Sequence, residues 1–69
     1  MNDRNQDVID LLTEREAAAF LRLKPVTLKK WRCRGRGPAY VRLGSAIRYE
    51  RAALLAYLDR VRIGPGAEE

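Results

Sequence analysis

The chain has 69 residues, a single cysteine, no histidine and a net charge of +5. One domain is the ceiling at this length, and its core is thin. A lone thiol forms no internal disulfide and no metal site, and without an imidazole the commonest general base and metal ligand is missing, so the composition argues against an enzyme and calls for no cofactor. No apolar run approaches the ~20 residues of a membrane span. The polar start MNDRNQD lacks the apolar core of a signal peptide, so a cytoplasmic location is expected.

Charge is unevenly spread. From Ala17 to Tyr49 there is no Asp or Glu, yet the window holds Arg22, Lys24, Lys29, Lys30, Arg32, Arg34, Arg36, Arg42 and Arg48. An acid-free basic block inside a folded region is the footprint of a polyanion binder. The competing reading is a basic surface that serves solubility alone.

In chain order, residues 1–10 are polar and aperiodic and read as a flexible arm, with Val8 and Ile9 able to touch the body. Thr13-Glu14-Arg15-Glu16 is a capping box, and Leu12 before it can staple to Ala17. The spacing predicts a helix from Glu14 to Leu21, packed through Ala17, Ala18, Phe20 and Leu21, with Phe20 the largest anchor. Arg22-Leu23-Lys24 is a tight connection. A second helix follows within Lys24–Gly35. Pro25 suits its first position and Gly35 the residue just past its end. Leu28 and Trp31 mark the buried stripe with Leu23 upstream, and Thr27, Lys29, Lys30, Arg32 and Arg34 mark the polar face. Lys24 is a poor cap, so either the cap is weak or the lysine serves a phosphate. Two short helices around a three-residue turn make a helix-turn-helix with the second as reader.

Arg36-Gly37-Pro38 turns the chain. Tyr40–Leu43 and Ile47–Tyr49 alternate as two strands around a Gly44-Ser45-Ala46 loop, a hairpin that reads as a wing with Arg42 and Arg48 off the core side. Such arginines contact DNA backbone or minor groove, or are simply solvated. Tyr40 and Tyr49 are the rings expected at the surface. A last helix spans Arg51 to Val61, with Leu54, Leu58 and Val61 as its stripe and Tyr57 and Ala53 beside it. Leu55 lies off the stripe, exposed or in a protein contact. The expected organisation is a 1–10 arm, an 11–62 winged helix-turn-helix, mainly α with a small β-hairpin in the order α-α-β-β-α, and a 63–69 flexible tail.

Residues 11–60 resemble the excisionase-type, MerR-like winged helix-turn-helix domains of phage excisionases, recombination directionality factors and AlpA-type prophage regulators. The pieces that carry the likeness are the Leu12-Thr13 opening, the alanine-rich first helix, Leu23-x-x-x-Thr27-Leu28, the basic run to Gly35, Pro38-x-x-x-Arg42-Leu43-Gly44, and Arg48-Tyr49 followed by Leu54, Tyr57 and Leu58. The chain departs from the family's pattern at Lys24, Pro25 and Trp31. The resemblance implies a reading surface of Pro25, Val26, Thr27, Lys29 and Lys30. It places Arg34 and Arg36 near the DNA backbone and Ser45 and Arg48 in or near the wing. Lys24, Arg32 and Arg42 complete the backbone and wing set by their charge. The resemblance also implies double-stranded DNA as ligand, a tyrosine or serine integrase as partner and adjacent copies associating on DNA. The long dimerisation helix and effector domain of MerR regulators are not expected.

Lysines in the reader favour guanine acceptors, and the Val26 methyls suit a thymine methyl. The leading expectation is an architectural excision factor, and the alternative is an AlpA-like transcription regulator. An RNA-binding or acidic-protein-binding module is the rival of another class. Sequence-specific RNA readers expose aromatics for stacking, whereas Phe20, Trp31 and Tyr57 lie on apolar seams here.

Overall fold

The computed structural model describes residues 10–64. Its elements run β1 (Leu11–Thr13), α1 (Glu14–Phe20), α2 (Pro25–Cys33), β2 (Val41–Leu43), β3 (Ala46–Glu50) and α3 (Arg51–Val61). The expected Val8 and Ile9 contacts, most of the arm and the end of the tail lie outside the described residues. The three strands form one antiparallel sheet in the order β1-β3-β2. The architecture is a winged helix-turn-helix, with one strand more than the hairpin the sequence suggested.

That extra strand, β1, precedes α1 directly. Thr13 caps α1 with an extended backbone (φ −70°, ψ 167°), so the residues that enter the helix already have strand conformation. Leu12 then lies opposite Tyr49 and Thr13 opposite Arg48. Asp10 continues the pairing: its carbonyl accepts from the Arg51 N–H at 2.9 Å and its carboxylate from Arg51 Nε at 2.6 Å. Asp10 thus belongs to the folded body, although the sequence placed it in the arm.

The capping box forms in full. The Glu16 N–H donates to Thr13 Oγ1 at 3.1 Å, and the Thr13 N–H donates to Glu16 Oε1 at 2.9 Å. Leu12 and Ala17 are both buried, as a hydrophobic staple requires. The exit of α1 is less expected. The Leu23 N–H reaches the Ala18 carbonyl at 2.8 Å and the Arg22 N–H the Ala19 carbonyl at 3.0 Å. That is a Schellman closure, which needs a left-handed residue at its centre. The residue there is Arg22, with φ +61°.

Leu12, Ala17, Ala18, Leu28, Tyr49 and Leu54 make the core, with Phe20, Leu21, Trp31 and Ile47 packed against it. The two core alanines let α1 and α2 approach closely. Tyr49 is only 1% exposed and is among the largest fully buried side chains, which corrects the expectation of a surface ring. Phe20, expected as the main anchor, is half-buried beneath the Arg51 guanidinium, 5.2 Å from its ring centroid. Trp31 meets Tyr57 at a centroid separation of 6.1 Å and so ties α2 to α3. Val61 is exposed rather than part of the α3 stripe, and Leu55 is exposed.

Candidate nucleic-acid interface

The surface of α2 is set by helical spacing. Val26, Lys29, Lys30 and Cys33 stand at i, i+3, i+4 and i+7, so they share one face, and all four are exposed. Leu28 on the opposite side is fully buried and Trp31 half-buried. Thr27 is half-buried on the flank that also carries Lys30 and Arg34, while Pro25 is exposed at the first turn. Among the described residues Lys29, Lys30, Arg34 and Arg36 make no ion pair. Cys33 belongs to this face although attention to charge passed over it; the i+7 step from Val26 is the signal that finds it.

The N-terminus of α2 has no side-chain cap. Lys24 is extended there (φ −78°, ψ 143°), and its ammonium makes no capping bond. Its carbonyl takes the Thr27 N–H at 2.9 Å and the Leu28 N–H at 3.3 Å, and Pro25 at the first position has no N–H to satisfy. At the other end the Arg36 N–H donates to the Trp31 carbonyl at 2.9 Å and the Gly35 N–H to that of Arg32 at 3.1 Å, with Gly35 left-handed (φ +70°). This second Schellman closure carries Arg34 and Arg36 just past that exposed face. Gly37 then lies against Trp31, where an added Cβ would come within 3.0 Å of the indole. Together with Pro38, which is buried, this contact sets how the wing leaves α2.

Arg32 departs from the expected set. It turns inward, donating from Nε to Glu14 Oε2 at 2.8 Å and from Nη2 to Oε1 at 3.2 Å, while the Tyr49 hydroxyl donates to Oε2 at 2.9 Å. The side chains of Arg32 and Glu14 keep only 15% and 20% of their exposure. The forked bond from Arg32 holds the Glu14 carboxyl below the usual range, against the opposing effect of burial. Glu14 in turn raises the Arg32 pKa further above its ordinary value. Burial, then the hydrogen bond to Glu14, pushes the Tyr49 phenol up. Arg32 therefore belongs to a ring of contacts joining α1, α2 and β3, and its charge is already compensated inside the protein.

The wing also divides its two arginines. Arg42 lies opposite Ile47 and Val41 opposite Arg48. Residues directly opposite share a face and successive residues alternate, so Arg42 is on the face of Ile47 and Tyr49 and Arg48 on the other. The expectation that both point off the core side is corrected for Arg42. It is exposed nonetheless, because the ribbon reaches its turn there. Arg48 is half-buried, and its Nη1 donates to the Ile47 carbonyl at 2.8 Å. The turn is Gly44-Ser45 alone, since Leu43 pairs with Ala46. Gly44 has φ +64°, as the first position of a type II′ hairpin requires. Ser45 is exposed at the tip.

An exposed cationic helix, led by a tight turn and followed by a basic β-ribbon, defines a DNA-binding winged helix-turn-helix protein whose ligand is double-stranded DNA. Residues 11–62 match the helix-turn-helix domain family, and the chain belongs to it. No curated protein matches the chain in sequence. Among the described residues no helix is long and apolar enough to cross a membrane.

Proposed function

We propose that the protein is a sequence-specific architectural factor of the excisionase or recombination directionality type. It binds and bends attachment-site DNA so that a tyrosine or serine integrase excises a mobile element. The observation that carries the reading is the exposed Val26, Lys29, Lys30 and Cys33 face of α2, free of carboxylates and continued by Arg34 and Arg36. The likeness of residues 11–60 to excisionases supports the finer assignment.

In this mechanism α2 enters the major groove. Lys29 and Lys30 meet guanine acceptors, Val26 a thymine methyl, and Pro25 and Thr27 complete the reading surface. Lys24, Arg34, Arg36, Arg42 and Arg48 neutralise phosphates, with Ser45 beside them at the wing tip. One such module offers few base contacts, so specificity comes from several copies on adjacent sites. Their wings bend the duplex at a cost of about 1–6 kcal/mol for a short site.

The test is a footprint and gel-shift on DNA flanking the gene, including any integrase attachment site. Protection of adjacent repeats with the mobility of bent DNA is the expected result. A single unbent site over a promoter would instead make the protein an AlpA-like regulator. No preference over random duplex would overturn sequence-specific recognition and make RNA or an acidic protein the next ligand to try.

A further inference from the structure

Arg22 is the only residue other than glycine with positive φ among the described residues. The Schellman closure of α1 imposes that conformation, since both of its hydrogen bonds are formed, at 2.8 and 3.0 Å. A side chain with a Cβ is strained there and glycine is not. The other three left-handed positions, Gly35, Gly37 and Gly44, are all glycine. The Arg22 side chain gains nothing visible inside the protein in return: it is exposed, and it makes no hydrogen bond, ion pair or ring contact among the described residues. It lies three residues before Pro25, which opens α2, and three residues of chain reach at most about 10 Å. Between Ala17 and Tyr49 no carboxylate competes for it.

We infer that Arg22 is a DNA-contacting residue, a phosphate clamp at the turn that leads into the reading helix, kept at the expense of backbone strain. The inference rests on the reading of α2 as the DNA-facing helix. Among the described residues the guanidinium makes no contact that holds the fold, and the short span to Pro25 keeps it near Lys24 and the first turn of α2. It adds a sequence-blind contact to those that position the reader.

The test compares wild type with Arg22→Gly, Arg22→Asn and Arg22→Lys on one duplex across a salt series. Glycine and asparagine accept the left-handed conformation, so both variants should fold, and Arg22→Gly should melt roughly 4 °C higher as the strain is relieved. Both should bind more weakly, with the salt slope reduced by about one contact. Their deficit should therefore shrink about threefold between about 50 and 200 mM salt. Arg22→Lys should restore the slope. Affinity and slope unchanged in Arg22→Gly and Arg22→Asn, with wild type binding well, would overturn the inference. A lower melting temperature for Arg22→Gly would overturn it too, because the side chain would then be packing rather than waiting for DNA. Failure of wild type itself to bind duplex would instead overturn the reading of α2.

Discussion

Two cations in consecutive turns of α2 have opposite fates. Lys29 stands on the outer face beside Val26 and Cys33, exposed and without an ion pair among the described residues. Arg32 is turned inward onto Glu14, with Tyr49 closing the ring behind it. In sequence both belong to the same acid-free run. The difference is made by a carboxylate 18 residues upstream, at the first position of α1. A basic run is thus not one feature: its members divide between holding α2 in place and presenting charge, and the partner that decides lies elsewhere in the chain. The inward group costs desolvation, offset by the forked geometry and the phenol. The outward group costs the fold almost nothing, and on the proposed reading its main contribution is made against DNA.

The largest effect should come from breaking the inward side. Glu14→Ala leaves the Arg32 guanidinium largely buried without its counter-charge and the Tyr49 hydroxyl without its acceptor. A loss of about 3 kcal/mol is expected, the low end for a buried pair because both groups keep some solvent contact. For a domain this size that is a large share of a total of about 3–10 kcal/mol. Urea titration followed by the Trp31 fluorescence reads it. A loss under about 1 kcal/mol would make the ring a solvated surface pair, and the contrast with Lys29 would disappear.

Breaking the outward side should do the reverse. Lys29→Ala with Lys30→Ala should leave the melting midpoint within about 0.5 kcal/mol of wild type, as surface changes usually do. It should abolish specific binding and lower the salt slope by about two contacts. Unchanged affinity in a fold-intact double variant would move the reading surface off α2. Arg32→Ala sharpens the comparison: it should resemble Glu14→Ala in stability and not the lysine pair.

Legibility followed sequence separation. The capping box, Pro25 at the head of α2 and Gly35 past its end are local, each decided within a few residues, and the structure has them where the chemistry placed them. What was hidden depends on partners far away. β1 is only Leu11–Thr13, too short to show alternation, and is a strand because β3 pairs with it. Tyr49 reads as an amphipathic residue at the end of a wing. Only the Glu14 carboxylate, 35 residues off, makes its hydroxyl admissible in the core. At the interface, helical arithmetic finds the outer face of α2, including Cys33, but not that Arg32 has left it. Arg22 is the exception: its left-handed conformation is imposed by a closure spanning only five residues, and it was hidden because such a position ordinarily carries glycine.

The smallest expected effect separates the two sides by pH. In the unfolded chain Glu14 takes up a proton near its ordinary pKa of 4.5, whereas in the fold the Arg32 bond holds it lower. Below about pH 4.5 the unfolded state binds more protons. Stability should therefore be complete above that value and fall as the pH drops through the folded pKa. Tyr49 acts at the other end. Its phenol is raised above 10.0, so the unfolded chain loses that proton first and stability declines as pH rises past about 10. Lys29 adds a smaller lowering of the Glu14 carboxyl than Arg32 does. Denaturant midpoints from about pH 3 to 11 for wild type and Glu14→Gln should therefore converge in acid, where wild type loses the advantage of its carboxylate. The lysine double variant should run parallel to wild type above about pH 4.5 and fall slightly earlier in acid, because Glu14 loses the weak pull of Lys29. If Glu14→Gln kept a constant offset down to pH 3, the Glu14 charge would contribute nothing that a neutral amide does not. The ring would then be held by hydrogen-bond geometry alone.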